Sequence, residues 1–133
     1  MTMHPALADA LRAAKPKPIV GRLPPHAGGR TDTLPIDVPP DSFVIPADVI
    51  SFLGEGSSAV GHALLEKRFP QVQEDGPGVP IMAAGDEMII GPKSVRSLGN
   101  GSIKRGMDIL HEFVLHARKE MIKETRAMKK PHR

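Results

Sequence analysis

PIDVPPDSFVIPADVISFLGEGSSAVGHALL, residues 35–65, and PIMAAGDEMIIGPKSVRSLGNGSIKRGMDIL, residues 80–110, align without a gap at an offset of 45. Ten of the 31 columns are identical: Pro35/Pro80, Ile36/Ile81, Asp41/Asp86, Ile45/Ile90, Leu53/Leu98, Gly54/Gly99, Gly56/Gly101, Ser57/Ser102, Gly61/Gly106 and Leu65/Leu110. Unrelated stretches of ordinary composition would share roughly two. Other columns exchange like for like, with Phe43 against Met88, Val44 against Ile89, Ile50 against Val95 and Leu64 against Ile109. A unit this short cannot bury its apolar face alone, so two copies that pack on each other are expected.

Each copy has the same plan. Leu34, Ile36 and Val38 alternate as in a half-buried strand, Pro39-Pro40-Asp41 supplies a turn, and Ser42 to Ile45 returns, which predicts a hairpin. Pro46 suits a first helical residue, Val49, Ile50 and Leu53 form one helix face, and Gly54 stops it. Ser57 or Ser58 caps a second helix through about Arg68, expected to be buried through Val60, Leu64 and Leu65. In the second copy, Val79 to Ala83 and Glu87 to Ile90 flank the turn Ala84-Gly85-Asp86. Pro92 then opens a helix closed by Gly99, and Ser102 caps the last one. That helix continues to about Met128, because Ile103, Met107, Leu110, Val114, Ala117 and Met121 recur at helical spacing, with Ile109 and Phe113 widening the stripe. Leu53 and Leu98 are expected to be buried where the copies meet. The two hairpins should join as one four-stranded antiparallel sheet or as two ribbons about a pseudo-twofold axis, with helices over one side.

Ahead of the repeats, residues 6–14 predict a short helix. Pro16 to Leu34, with Pro18, Pro24, Pro25 and Gly28-Gly29, predicts an extended arm. Such an arm reaches roughly 60 Å, enough to lie on a neighbouring subunit. Gln71 to Gly78 is a polar linker. The predicted fold is therefore α+β: two tandem strand-strand-helix-helix repeats, 35–69 and 80–128, packed as a pseudo-symmetric pair. An N-terminal region over 1–34 carries the arm, a body over 35–133 carries the repeats, and the body ends in a long helix with a basic tail.

Composition narrows the function classes. With four Phe and no Trp or Tyr, the core must be built from Ile, Leu, Val and Met. The absence of Cys excludes disulfides and thiolate metal sites and fits folding in a reducing cytoplasm. The apolar runs are shorter than a membrane span, and the start lacks the hydrophobic region of a signal peptide, so a soluble, intracellularly made chain is expected. The net charge of +3 conceals a pattern: Lys and Arg against Asp and Glu number five to one over 1–30, six to twelve over 31–117, and seven to two over 118–133. Basic ends on an acidic body suit docking on acidic surfaces or nucleic acid, or simple solvation.

The candidate chemistry is thin. Gly54-x-Gly56 and Gly99-x-Gly101 precede helices but lack the third glycine or the Lys-Ser/Thr pair of a phosphate loop, and a structural elbow accounts for them better. His111 and His116 resemble the pair of a zinc-protease helix but stand five apart, about 140° around the helix, and cannot share a metal. His62 matches Met107 in the other copy, which marks a packing position. Asp41 and Asp86 are turn aspartates whose side chains should bond nearby backbone. Lys104 and Arg105 stand where a helix-turn-helix would hold phosphates, yet the first copy has no cation there and no aromatic residues are placed to stack on bases. No catalytic, cofactor-binding or metal residues are assigned, and no enzymatic activity or cofactor is expected.

Gly-Gly-Arg-Thr-Asp at 28–32, Ser-Phe-Val-Ile-Pro-Ala-Asp-Val-Ile at 42–50, Leu-Gly-Glu-Gly at 53–56, Val-Pro-Ile-Met-Ala-Ala-Gly-Asp-Glu at 79–87 and Arg-Gly-Met-Asp-Ile-Leu at 105–110 together resemble a family of short proteins of tailed phages and prophages. The likeness covers about residues 28–130. It implies a phage setting and names no activity. The expectation is a virion structural protein, a capsid cement or decoration protein made in the host bacterial cytoplasm. Its partners would be the major capsid protein and copies of itself, with no membrane and no small-molecule substrate. A nucleic-acid-binding phage protein with a basic tail, or a head-tail or tail component, is the alternative.

Overall fold

The computed structural model describes residues 4–7, 17–26 and 31–129. Residues 5–7 are helical. The rest of the helix expected over 6–14, the Gly28-Gly29 part of the arm and the end of the basic tail lie outside the described residues. Along the chain come β1 (Gly21–Arg22), β2 (Leu34–Val38), β3 (Phe43–Ile45), α1 (Ala47–Leu53), α2 (Ser58–Arg68), β4 (Val79–Ala83), β5 (Met88–Ile90), α3 (Pro92–Leu98) and α4 (Ile103–Lys129). Every boundary from the start of β4 to the start of α4 lies 45 residues after its counterpart between β2 and α2.

The strands pair between the halves of the chain. β2 runs antiparallel to β4 with Ile36 opposite Ile81, and β3 runs antiparallel to β5 with Val44 opposite Ile89. The expected hairpins, β2 with β3 and β4 with β5, do not form. Alternation identifies a strand but not its partner, and the partner chosen here joins apolar residues across the ladders. The connections 39–42 and 84–87, each with an aspartate at φ 64°, carry the chain from one sheet to the other.

Three layers result. Ile45, Met88 and Ile90 join Val49, Ile50, Leu65, Val95, Leu110, Val114 and Ala117 in the core beneath the helices. Val44 and Ile89, on the opposite face of the same strands, pack with Leu34, Ile36, Val38, Ile81 and Ala83 of the second sheet. All three residues of β5 are therefore buried, as in a strand covered on both faces.

β1 completes the three-stranded sheet, in the order β1-β5-β3, by pairing Gly21 with Ile89 and Arg22 with Met88. Leu23, 1% exposed, enters the inner layer. Main-chain bonds from Ile19 N to Asp37 O (2.8 Å), Leu23 N to Glu87 O (2.9 Å) and Asp86 N to Pro24 O (3.2 Å) tie the segment down, and Gln73 Nε2 donates to Pro18 O (2.8 Å). Residues 17–26 lie along their own body. This placement buries Leu23 and satisfies main-chain groups that an arm in solvent would leave to water.

α1 begins at Ala47, so Pro46 is its cap residue and not the first helical residue, whereas Pro92 does open α3. Ser57 Oγ accepts from Val60 N and Ser102 Oγ from Arg105 N, each at 3.2 Å, capping α2 and α4. The helices of each half touch through backbone: a methyl at Gly61 would overlap the Ile50 carbonyl oxygen, and one at Gly106 the Val95 carbonyl oxygen. This contact sets the rotation of α2, which buries Gly61, His62 and Leu65. Val60 and Leu64, expected in the core, are therefore turned outward at 51% and 52% exposure. Leu53 and Leu98 are only partly buried, and Ile109 is 37% exposed.

Candidate functional site

The displaced leucines face an apolar groove on the described surface. Leu53, Leu64, Leu65, Leu98, Ile109, Leu110 and Phe113, with Arg68 and Phe69, line a groove of about 320 Å³ where the ends of α1 and α3 meet α2 and α4. Of its lining, Leu65 and Leu110 are buried, while Leu64 of α2 and Ile109 of α4 are exposed. Lining positions 53, 64 and 65 differ by 45 from 98, 109 and 110, so six of the nine lining residues occupy corresponding positions of the two halves. The column exchanging Leu64 for Ile109 was the available signal for this groove, but helical spacing alone suggested a core role for it.

Elsewhere the polar groups are engaged by the fold. Gln71 accepts from Gly91 N (2.7 Å) and donates to Phe69 O (2.7 Å) and Ser94 Oγ (3.2 Å), bracing the linker against the start of α3. In the open pocket of about 410 Å³ beside it, Lys93 lies 3.9 Å from the Glu74 carboxylate. Across the molecule, Arg118 of α4 pairs with Asp48 of α1 through two bonds of 3.3 Å. Glu87, nearby, has its carboxyl pushed up by burial, while the bond it accepts from Ala84 N pulls the other way.

The sequence candidates fall as follows. In the Gly-x-Gly elbows, Gly56 N donates to Ser51 O and Gly101 N to Arg96 O, both at 2.8 Å, so the amides a phosphate would need close the turn instead. Glu55 and Asn100 adopt φ of 54° and 56° at matching positions. Asp41 and Asp86 hold the left-handed conformation at the sheet crossovers, and neither carboxylate hydrogen-bonds backbone among the described residues. What suits Asp to the position is its tolerance of positive φ and not the expected side-chain bond. His111 and His116 are both exposed on α4. Lys104 is paired with Asp108 at 3.4 Å. Among the described residues, no group of three or more His, Asp or Glu is placed to hold a metal ion.

Two buried side chains are left unsatisfied among the described residues: Glu74, whose Oε1 has no partner, and His62. His62 is 2% exposed and neither ring nitrogen makes a hydrogen bond. Arg22 of β1 and Glu66 of α2 form a 2.8 Å ion pair beside it. Burial pushes the imidazole below its ordinary value and the Arg22 charge adds to this, while the Asp86 main chain and the carboxylates of Asp86 and Glu66 oppose it. The corresponding residue in the other half is Met107, so an apolar side chain suits the same helix position.

Comparison with protein-family models, curated proteins and solved structures finds no significant match for the chain. Among the described residues, no helix is long and apolar enough to cross a membrane.

Proposed function

We propose that the protein is a structural component of a tailed-phage virion, a capsid cement or decoration protein that binds neighbouring major capsid subunits and carries no enzymatic activity. The observation that carries this reading is the resemblance of residues 28–130 to short phage and prophage proteins. Its body supports the same reading. We take the two halves as copies of one unit packed about an approximate twofold axis, because their boundaries share one offset and because Ile36 meets Ile81 and Val44 meets Ile89, the same positions of each copy. Two interleaved copies with a strand laid across them make a stiff body, and an apolar groove on its helical side suits protein contact better than small-molecule chemistry.

The test is particle composition. Purified virions examined by mass spectrometry and gel densitometry should contain the protein at a copy number comparable with that of the major capsid protein. A few copies per particle would move it to the portal, adaptor or tail, and absence would overturn the virion reading. Binding of nucleic acid by the basic end is the weaker reading, since Arg118 and Lys123 already pair with Asp48 and Glu120. That reading requires DNA affinity that falls steeply with salt.

A further inference from the structure

We propose that residues 17–26 form an acid-released strap, with His62 as the group whose protonation opens it. The proposal does not use the virion reading and rests on where the strap lies. β1 adds to the free edge of β5 in the three-stranded sheet, whereas the corresponding edge of β3 carries no strand among the described residues. Arg22 stands opposite Met88, which belongs to the core beneath the helices, so Arg22 is on the helix-facing side of the sheet. There its guanidinium meets Glu66 of α2, one helical turn after His62, at 2.8 Å. Leu23 packs in the inner layer between the sheets. One side of the strap therefore closes against α2 beside His62, and the other fills the space between the sheets.

The two halves supply an internal comparison. Beside the strap, the chain places an ionisable residue that is 2% exposed with neither ring nitrogen bonded. At the corresponding position of the other half it places Met107, which is only partly buried. Burial alone favours the reverse, with the methionine inside and the imidazole out. A neutral imidazole is tolerated in such a site, but an imidazolium needs acceptors for two N–H groups and a partner for its charge. The charged groups around it among the described residues are Arg22 from β1, Glu66 from α2 and Asp86 from the connection 84–87. Burial above all, and then the Arg22 charge, hold the imidazole below its ordinary value of about 6.5, against the Asp86 main chain and the Asp86 and Glu66 carboxylates. As pH falls through that value, proton uptake therefore favours any form in which His62 reaches water. The smallest such opening lifts the strap, because β1 holds by two ladder residues, a few main-chain bonds, one half-exposed ion pair and Leu23, while α2 is packed into the core. Glu87, whose carboxyl burial pushes up, binds its proton more readily in the folded form and works in the opposite sense. Lifting the strap bares the edge of β5, where a further strand can add.

Amide hydrogen exchange of the full chain, followed by NMR at about pH 7.5 and about pH 5.5 and expressed as protection factors, tests this. The amides of Ile19, Leu23 and Asp86, which make the main-chain bonds of the strap, should be less protected than those of Leu110 and Val114 in α4 and should lose protection severalfold on acidification. His62→Met, which copies Met107, should abolish that loss. In the wild type, the His62 ring proton signals should titrate below about 6.5. Strap amides as protected as those of α4 would overturn the proposal, since the strap would then open only with the whole molecule. So would strap protection that does not change with pH, an acid effect that survives His62→Met, or a His62 that titrates at or above its ordinary value. Particle composition bears on none of these outcomes, so this proposal and the virion reading fail separately.

Discussion

Gly61 and Gly106 show how much of this structure hangs on single residues. Each lets one helix approach the carbonyl oxygen at the core-facing side of the helix before it, Ile50 in the first case and Val95 in the second. Gly61→Ala and Gly106→Ala should each cost about 1–3 kcal/mol by urea denaturation, because a methyl must displace backbone and not a flexible side chain. His62 adds a pH dependence. Its imidazole is held below the ordinary value in the folded protein, so as pH falls through about 6.5 the unfolded chain takes up the proton first and stability declines toward the lower folded value. The urea midpoint should therefore be lower at about pH 5.5 than at about pH 7.5. His62→Met, which copies the corresponding Met107, should remove much of that difference, and an unchanged pH dependence would assign it to other groups.

At the level of elements, β1 is the smallest piece with the largest anchor. Two ladder residues and one ion pair hold little, and the burial of Leu23 does most to fix the segment. Leu23→Ala should cost roughly 2–5 kcal/mol and expose the amides of residues 19–23 to hydrogen exchange before those of β5. Leu53 and Leu98 belong to a different regime. Lying half-buried in the groove, they should cost only about 1–2 kcal/mol each when cut to Ala, less than a fully enclosed leucine. Equal losses at the two positions would also agree with the correspondence of the halves.

On the scale of the molecule, the crossing of partners between halves makes folding all-or-none. β2 has its ladder partner in β4, and β3 in β5, so neither half contains a complete sheet. A fragment ending at residue 75 should be unfolded by far-UV circular dichroism, and the whole chain should unfold in one transition seen alike by helix and core probes. A fragment with native-like dispersion in its NMR spectrum would mean that the hairpin predicted from the sequence does form when the other half is absent.

Element type and extent were legible along the chain because they rest on local physics. Alternation at Leu34, Ile36 and Val38, caps at Ser57 and Ser102, the glycine stops at Gly54 and Gly99 and the stripe from Ile103 to Met121 act within a few residues, and from Leu34 onward the strands and helices stand within a residue or two of the spans they predict, whereas β1 was read only as extended arm. The 45-residue correspondence was legible for the same reason. Pairing was not. Whether β2 meets β3 or β4 depends on which arrangement buries Ile36, Ile81, Val44 and Ile89 together, a comparison between whole packings that no local window contains. The groove was hidden on the same grounds: helical spacing places Val60, Leu64 and Leu65 near one another, and only the backbone contact at Gly61 decides that Leu65 turns inward while Leu64 faces solvent. Periodicity thus determined what each segment is, while close packing of backbone against backbone determined which of its faces the molecule leaves open.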